Sequence, residues 1–461
     1  MDERQRALDA AHRAATGFFA GLDDRPVWPR ATLDEMIGVF GGPLPDAGTD
    51  AEEVVTALAA DADPGLVAIP GGRFFGFVIG GTLPAALAAD WLVSAWDQNS
   101  GSSTMTTAVV AMERVAGAWL CDLLGLPAAA SVGFVTGAQV SNYVCLAVAQ
   151  NAVLRDAGWD MTRRGLRGAP PVRFIVGADR HGAVDRGLRF AGVGADEITV
   201  VAADGEGRML PESLAHALAS APAGQPTVVC LQAGEVHSGA SDPFADLIPL
   251  ARRYGAWVHV DGAFGLWAAA TPTLQALTAG VGEADSWSTD AHKTLNVPYD
   301  CGMAIVRRPE DSIAMFHAGG DYLMHTSLDP WDVTPELSRR GRGVPVWAAL
   351  RALGRGGVAE LVDRLHRNAR QLEARLREVP GITVVNDVVY TQVMFRLDDD
   401  EATRALGAAI LTDGTAALTG ALWRGRAVLR CSMSNWATTP EDIDRTVAAI
   451  ARLAATSGTT A

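Results

Sequence analysis

Short runs of β-branched and apolar residues recur between helix-period segments through the middle of the chain, and this alternation constrains its fold more than any other feature. The runs are VRFIV from Val172, ITVV from Ile198, TVVCL from Thr227, WVHV from Trp257 and MAIV from Met303. Apolar runs of this length suit strands buried on both faces, and strands separated by helical segments pair in parallel. The expectation is an α/β domain on a mostly parallel sheet. Ahead of it, Pro84 to Leu126 has helical apolar spacing interrupted by the Gly, Ser and Thr stretch from Asn99 to Thr107, which predicts two helices and a polar loop. Residues up to about 60 read as helical pieces broken by Pro26, Pro29, Pro43 and Pro45. Beyond the sheet come a helical stretch from Gly357 to Val379 and strand candidates at Val388 to Phe395 and Ala427 to Met433. A last helix follows, capped by Thr439 with Pro440 in its first turn. The chain thus divides into an N-terminal helical arm (1–95), a large domain (96–345) and a small α+β C-terminal domain (346–461).

Composition narrows the partners. Thirty-eight Lys and Arg residues stand against 53 Asp and Glu, a net charge of −15 that repels nucleic acid and anionic membrane alike. No apolar run is long enough to span a bilayer, and the opening MDERQRALDA mixes charges of both signs. The expected protein is soluble and cytoplasmic. Its five cysteines (Cys121, Cys145, Cys230, Cys301 and Cys431) lie far apart in mostly apolar surroundings, as reduced thiols would. Neither a CxxC pair nor an HExxH spacing occurs, so no metal site is expected.

Chemistry concentrates at strand ends. In WVHVDGAFG, Asp261 follows a buried strand, where open α/β sheets present groups to a ligand. In STDAHKTLNVPYDCG, Lys293 follows His292 after a second strand-like run, DSWST, whose apolar setting suits an amine nucleophile. Alone, such an Asp reads as a helix cap and such a Lys as a solvated surface charge. Together they meet the needs of a carbonyl cofactor that forms an imine with lysine and keeps its ring nitrogen protonated against a carboxylate. That cofactor is pyridoxal 5′-phosphate. The segment GFVTGAQVSNYVCLAVAQN offers its phosphate a strand, a Gly-containing turn and the backbone N–H groups of a helix start. His181, in ADRHGAVDRG, stands at another strand end, either over the cofactor ring or as a structural histidine.

These segments, with RFFGFVIGGTLPAALAADWLVSAWDQN and VLRCSMSNWATTPEDID, fall in an order that resembles the group II pyridoxal-phosphate-dependent decarboxylases, relatives of aromatic amino-acid and glutamate decarboxylases. The resemblance runs from about Gly72 to Asp442. It implies fold type I, with a seven-stranded sheet in the large domain, and a homodimer whose active sites lie at the subunit interface. By position, Lys293 resembles the imine lysine, Asp261 the partner of the pyridine nitrogen and His181 the ring-stacking histidine. Ala263 matches the small residue beneath the ring, and His292 a cofactor contact. Ala138 and Gln139 lie where the family binds phosphate. Tyr322, in HAGGDYLMHTS, matches a mobile-loop tyrosine that protonates the substrate Cα after carbon dioxide leaves, a task suited to a phenol with pKa near 10. Arg339 matches a family arginine that orients a carboxylate, or else belongs to a surface basic cluster.

Departures from the pattern fall on the substrate rim. Gly71 and Gly72 replace the usual His-Pro, Ile79 stands where relatives place a polar pocket residue, and Gln139 replaces a Ser or Thr. Val236 replaces a Thr near the imine, and His237 is added, as a further acid or base or as a satisfied loop residue. The expected activity is decarboxylation of an L-amino acid to its primary amine. The alternatives are another carbon–carbon lyase, an aldehyde-forming decarboxylase-deaminase, an aminotransferase or a non-catalytic binding protein.

Overall fold

Each of those apolar runs is a strand of one seven-stranded sheet. The computed structural model describes residues 2–317 and 328–457. The strands are β1 (Ser131–Val135), β2 (Arg173–Gly177), β3 (Ile198–Val201), β4 (Thr227–Gln232), β5 (Trp257–Asp261), β6 (Ser286–Asp290) and β7 (Gly302–Val306). Their order is β1-β7-β6-β5-β4-β2-β3. Neighbours from β3 through β6 are parallel, and β7 alone runs antiparallel to both its neighbours. Every residue of β4 to β7 is buried, which explains the apolar runs of β4, β5 and β7, while β6, SWSTD, buries polar side chains. The helix Ala138–Asp156, buried over most of its length, packs into the core with Val135, Phe174, Val176, Val228 and Trp257.

The chain forms two compact units, and they are not three consecutive segments. One comprises Gly80–Arg370 with Asn386–Val393, and contains the seven-stranded sheet. The other combines the residues up to Ile79 with Gln371–Val385 and the chain from Met394 onward. The N-terminal residues are therefore not an arm of their own. Val27, Ala68 and Phe74 form a buried cluster with Ala417, and Phe75 N–H donates to Ala417 C=O at 2.8 Å. Such pairing across the length of the chain leaves no mark in local periodicity.

Within this second unit the helices Glu3–Ala20, Leu33–Phe40 and Ala51–Ala62 match the expected pieces. So does the last helix, Pro440–Ser457, where Thr439 Oγ1 accepts from Asp442 N–H at 3.2 Å. The strands β8 (Thr383–Val384), β9 (Gln392–Arg396), β10 (Thr419–Trp423) and β11 (Arg426–Ser432) form a sheet in the order β10-β11-β9-β8. Strand β9 is shorter than its apolar run and β10 was not foreseen. A side chain at Gly72 would overlap the Asp442 carboxylate, so close approach excludes a larger residue there. The helix expected from Gly357 begins at Gly343 and changes direction at Gly354, whose φ of 63° is non-helical. No helix among the described residues is long and apolar enough to cross a membrane.

Candidate active site

The parallel register aligns the carboxyl ends of three strands, with Gln232 opposite Asp261 and Asp261 opposite Ser288. Asp261, 5% exposed, ends β5 and accepts from Asn142 Nδ2 at 3.0 Å and Ala263 N–H at 3.2 Å. The chain after β6 folds back on the chain after β5: Asp290 N–H donates to Ala263 C=O at 2.9 Å, and Thr294 Oγ1 to Phe264 C=O at 3.1 Å. These bonds bring the lysine turn beside Asp261. Lys293 Nζ lies 3.1 Å from Asp290 Oδ2, so the lysine is ion-paired and not isolated among apolar groups as its sequence setting suggested. A side chain at Gly80 would overlap the Lys293 carbonyl. His292 stacks on Tyr299, ring centroids 4.2 Å apart, and its Nδ1 accepts from Cys301 N–H at 3.1 Å. Burial lowers the pKa of this imidazole.

The Gly-containing turn leads into the helix starting at Ala138, as expected. Ala138 N–H donates to Asp290 Oδ1 at 2.6 Å. Gln139 Nε2 is shielded from solvent and has no hydrogen-bond partner among the described residues. A buried amide N–H without an acceptor is costly, and a phosphate oxygen would satisfy it. An amine, a fixed carboxylate and an unpaired donor at a helix N-terminus are the donor set that pyridoxal phosphate requires, so the residues present fit that cofactor.

The pyridoxal-dependent decarboxylase conserved domain matches residues 43–398. The chain belongs to the pyridoxal-dependent decarboxylase family. It is 27% identical to mouse (Mus musculus) cysteine sulfinic acid decarboxylase over 332 residues, covering 70% of this chain and 66%, a little under two thirds, of that protein. It is 27% identical to L-2,4-diaminobutyrate decarboxylase of Rhizobium meliloti over 467 residues, 96% of this chain and 88% of the relative. With 4-hydroxyphenylacetaldehyde synthase of Rhodiola rosea it shares 25% identity over 453 residues, 93% and 90% of the two chains. The crystal structure of Oryza sativa TDC with PLP and tryptamine superposes with a TM-score of 0.92 at 24% identity, covering 99% of this chain and 98% of that one. The expected α/β fold and family are thus both found.

In this decarboxylase-family chain, other expected site residues fall in different places. Ala263 is partly exposed beside Asp261. His181 is exposed and caps the helix Gly182–Phe190, its Nδ1 accepting from Ala183 N–H at 3.2 Å. Ile79 packs partly buried against the Val27, Ala68, Phe74 and Ala417 cluster. His237 Nδ1 lies 2.8 Å from Oε1 of the buried Glu235, whose other oxygen accepts from the N–H groups of His237 and Ser238, so this histidine is tied into its loop. Tyr322 lies outside the described residues.

Arg339 requires a correction. It is neither a free fork for a substrate nor part of a surface cluster, because its side chain is fully buried against Glu113. Its Nη1 bonds Glu113 Oε2 at 2.7 Å and Ser100 O at 3.1 Å, while Nη2 bonds Phe134 O at 2.7 Å and Glu113 Oε1 at 3.2 Å.

Sequence reasoning missed Asp290, the residue that touches both Lys293 and Ala138. Two-residue strand periodicity from Ser286 and Ser288 would have found it. It also passed over a compositional signal: Lys293 is the sole lysine in 461 residues.

Proposed function

We propose that the protein is a pyridoxal-phosphate-dependent carboxy-lyase that converts an L-amino acid to its primary amine and carbon dioxide. The observation that carries this reading is the grouping of Lys293, Asp261 and the unpaired Gln139 amide at neighbouring strand ends and a helix start. The bound cofactor supplies an electron sink for the bond broken at the substrate Cα. Lys293 would provide the amine that holds it, and Asp261 would accept a hydrogen bond from its ring N–H in a water-poor site where a carboxylate acts strongly. Gln139 Nε2, at the helix start beside Ala138, would hold the phosphate, Ala263 and His181 would contact the ring, and His292 would support the cofactor beside the lysine. Tyr322 then delivers its hydroxyl proton to Cα.

Ile79, where the family places a polar pocket residue, favours an apolar or small side chain on the substrate. The working form is a homodimer with interface active sites, a reading supported by the exposed apolar residues Leu33, Ile37 and Phe40 on one short helix. A second reading, aldehyde formation, has support in the similarity to the Rhodiola rosea synthase.

The test is carbon dioxide release from purified holoenzyme over a panel of L-amino acids, with the organic product quantified in the same tube. Equal amounts of carbon dioxide and amine support decarboxylation. An aldehyde in place of the amine supports the second reading, and a keto acid without carbon dioxide overturns both. Borohydride reduction should fix pyridoxyl on Lys293; with no other lysine present, label on the N-terminal amine or on no residue overturns that assignment.

A further inference from the structure

A chain of hydrogen bonds runs behind Asp261 along two strands. Trp257, His259 and Asp261 alternate along β5 and so share one face. Ser286 and Ser288 on β6 stand in register with His259 and Asp261. Asn142, on the helix Ala138–Asp156, reaches the same groups. The links are Trp257 Nε1 to Ser286 Oγ at 2.9 Å, Ser286 Oγ to His259 Nδ1 at 3.0 Å, and His259 Nε2 to Asn142 Oδ1 at 2.9 Å. Ser288 Oγ also donates to Asn142 Oδ1, at 2.6 Å, and Asn142 Nδ2 donates to Asp261 Oδ2 at 3.0 Å. Asn142, His259, Ser286 and Ser288 are inaccessible to solvent.

Donor counting fixes the direction of every link. An indole N–H only donates, so Ser286 Oγ accepts from Trp257 and has its own proton for His259 Nδ1. The imidazole is neutral, since burial lowers it to about 4, and with Nδ1 accepting, its one proton sits on Nε2. That proton points at Asn142 Oδ1, as does the Ser288 hydroxyl, which lies 2.6 Å from it and 3.4 Å from Asp261 Oδ1. Were the Asn142 amide turned over, its N–H groups would face those two donors and its oxygen would face the Asp261 carboxylate. The relay therefore admits one orientation, with an N–H on Asp261 Oδ2.

We propose that His259, Ser288 and Asn142 are positioning residues that lock the Asp261 carboxylate for the cofactor's ring nitrogen, with Trp257 setting the polarity of the relay. The inference rests on the assignment of Asp261 made above. Three donors reach the carboxylate, Asn142 Nδ2 on Oδ2, and Ala263 N–H and the longer Ser288 Oγ contact at 3.4 Å on Oδ1, and of its four lone-pair sites one is left for the ring.

The experiment measures the pyridoxal phosphate dissociation constant and the absorbance spectrum of the reconstituted protein, together with kcat and KM. Asp261→Ala comes first, because a parental dissociation constant and spectrum in that variant overturn the assignment of Asp261 itself. With that control weakened, His259→Leu should raise the dissociation constant about tenfold and lower kcat with little change in KM, in line with loss of a hydrogen bond that orients a charged group. His259→Gln, whose amide N–H lies where Nε2–H lay, should recover most of the loss. Ser288→Ala removes one of the two donors on Asn142 and should give a smaller weakening in a chain that keeps its imidazole. Parental behaviour of His259→Leu and Ser288→Ala alongside a weakened Asp261→Ala overturns the relay, as does equal weakening by His259→Leu and His259→Gln.

Discussion

Replacing Arg339 by Met should cost stability and leave substrate affinity alone. The guanidinium makes two bonds to the Glu113 carboxylate, and its two terminal nitrogens also reach Ser100 O, Ser100 Oγ and Phe134 O. Glu113 is 4% exposed, and without Arg339 its one remaining donor among the described residues is Gly343 N–H at 3.1 Å. Breaking a buried pair from one side leaves an uncompensated charge, a loss of about 3–5 kcal/mol. The compact unit holding both residues has roughly 300 residues, and at about 2.1 cal/mol/K per residue its unfolding entropy turns that loss into a fall in Tm of about 5–8 °C. The assay is thermal unfolding of the cofactor-loaded protein, with KM measured on the same preparation. Removing both charges, in Arg339→Met with Glu113→Gln, should recover part of the loss because the stranded carboxylate is gone. An unchanged Tm with a raised KM would refute the reasoning and return Arg339 to the substrate.

Two further outcomes follow from groups in the same unit. Gln139→Leu removes the unpaired donor and should weaken pyridoxal phosphate binding about tenfold in a cofactor titration; parental affinity would mean that the amide does not meet the phosphate. His259 is held near pKa 4 in the folded chain against 6.5 unfolded, so its contribution to stability is present above pH 6.5 and lost as the pH falls through about 4. His259→Gln should therefore lose about 1.5 kcal/mol less than the parent between pH 6.5 and 5 in cofactor-free denaturation. Comparison with the parent is essential, because buried Asp242, raised to about 7, contributes in the opposite sense: its stabilisation is full below pH 3.8 and lost as the pH rises through 7.

What could be read from sequence was whatever depends on neighbours along the chain. Burial on both faces makes β4, β5 and β7 largely apolar, and each of these stands out as a run. Thr439 and Pro440 mark a helix start because the cap is made within three residues. What escaped depends on distant partners. Phe75 bonds Ala417, so the N-terminal residues belong with the end of the chain, and no local pattern reports it. Arg339 sits in LSRRGRG, a stretch that reads as a solvated basic cluster until Glu113 and Phe134 O are seen to surround the guanidinium. Charge type was legible there, but burial was not.

The site itself was more legible than the residues around it, for a compositional reason that becomes plain beside the geometry. Of the 38 Lys and Arg residues, Lys293 is the one lysine, so every other cationic position, exposed or paired, is filled by arginine. A guanidinium serves as well as an ammonium in a surface ion pair, and better where a planar fork is wanted, as at Glu113. It cannot serve as an amine that attacks a carbonyl, because it stays protonated and its nitrogens share one delocalised charge. A chain that uses arginine wherever charge alone matters thus retains lysine where an amine must react. By the same logic Asp290, 3.1 Å from that ammonium, can be matched by position but not by side-chain type: acidic residues are common in this sequence, and only the strand register after Ser286 and Ser288 brings this one to the lysine.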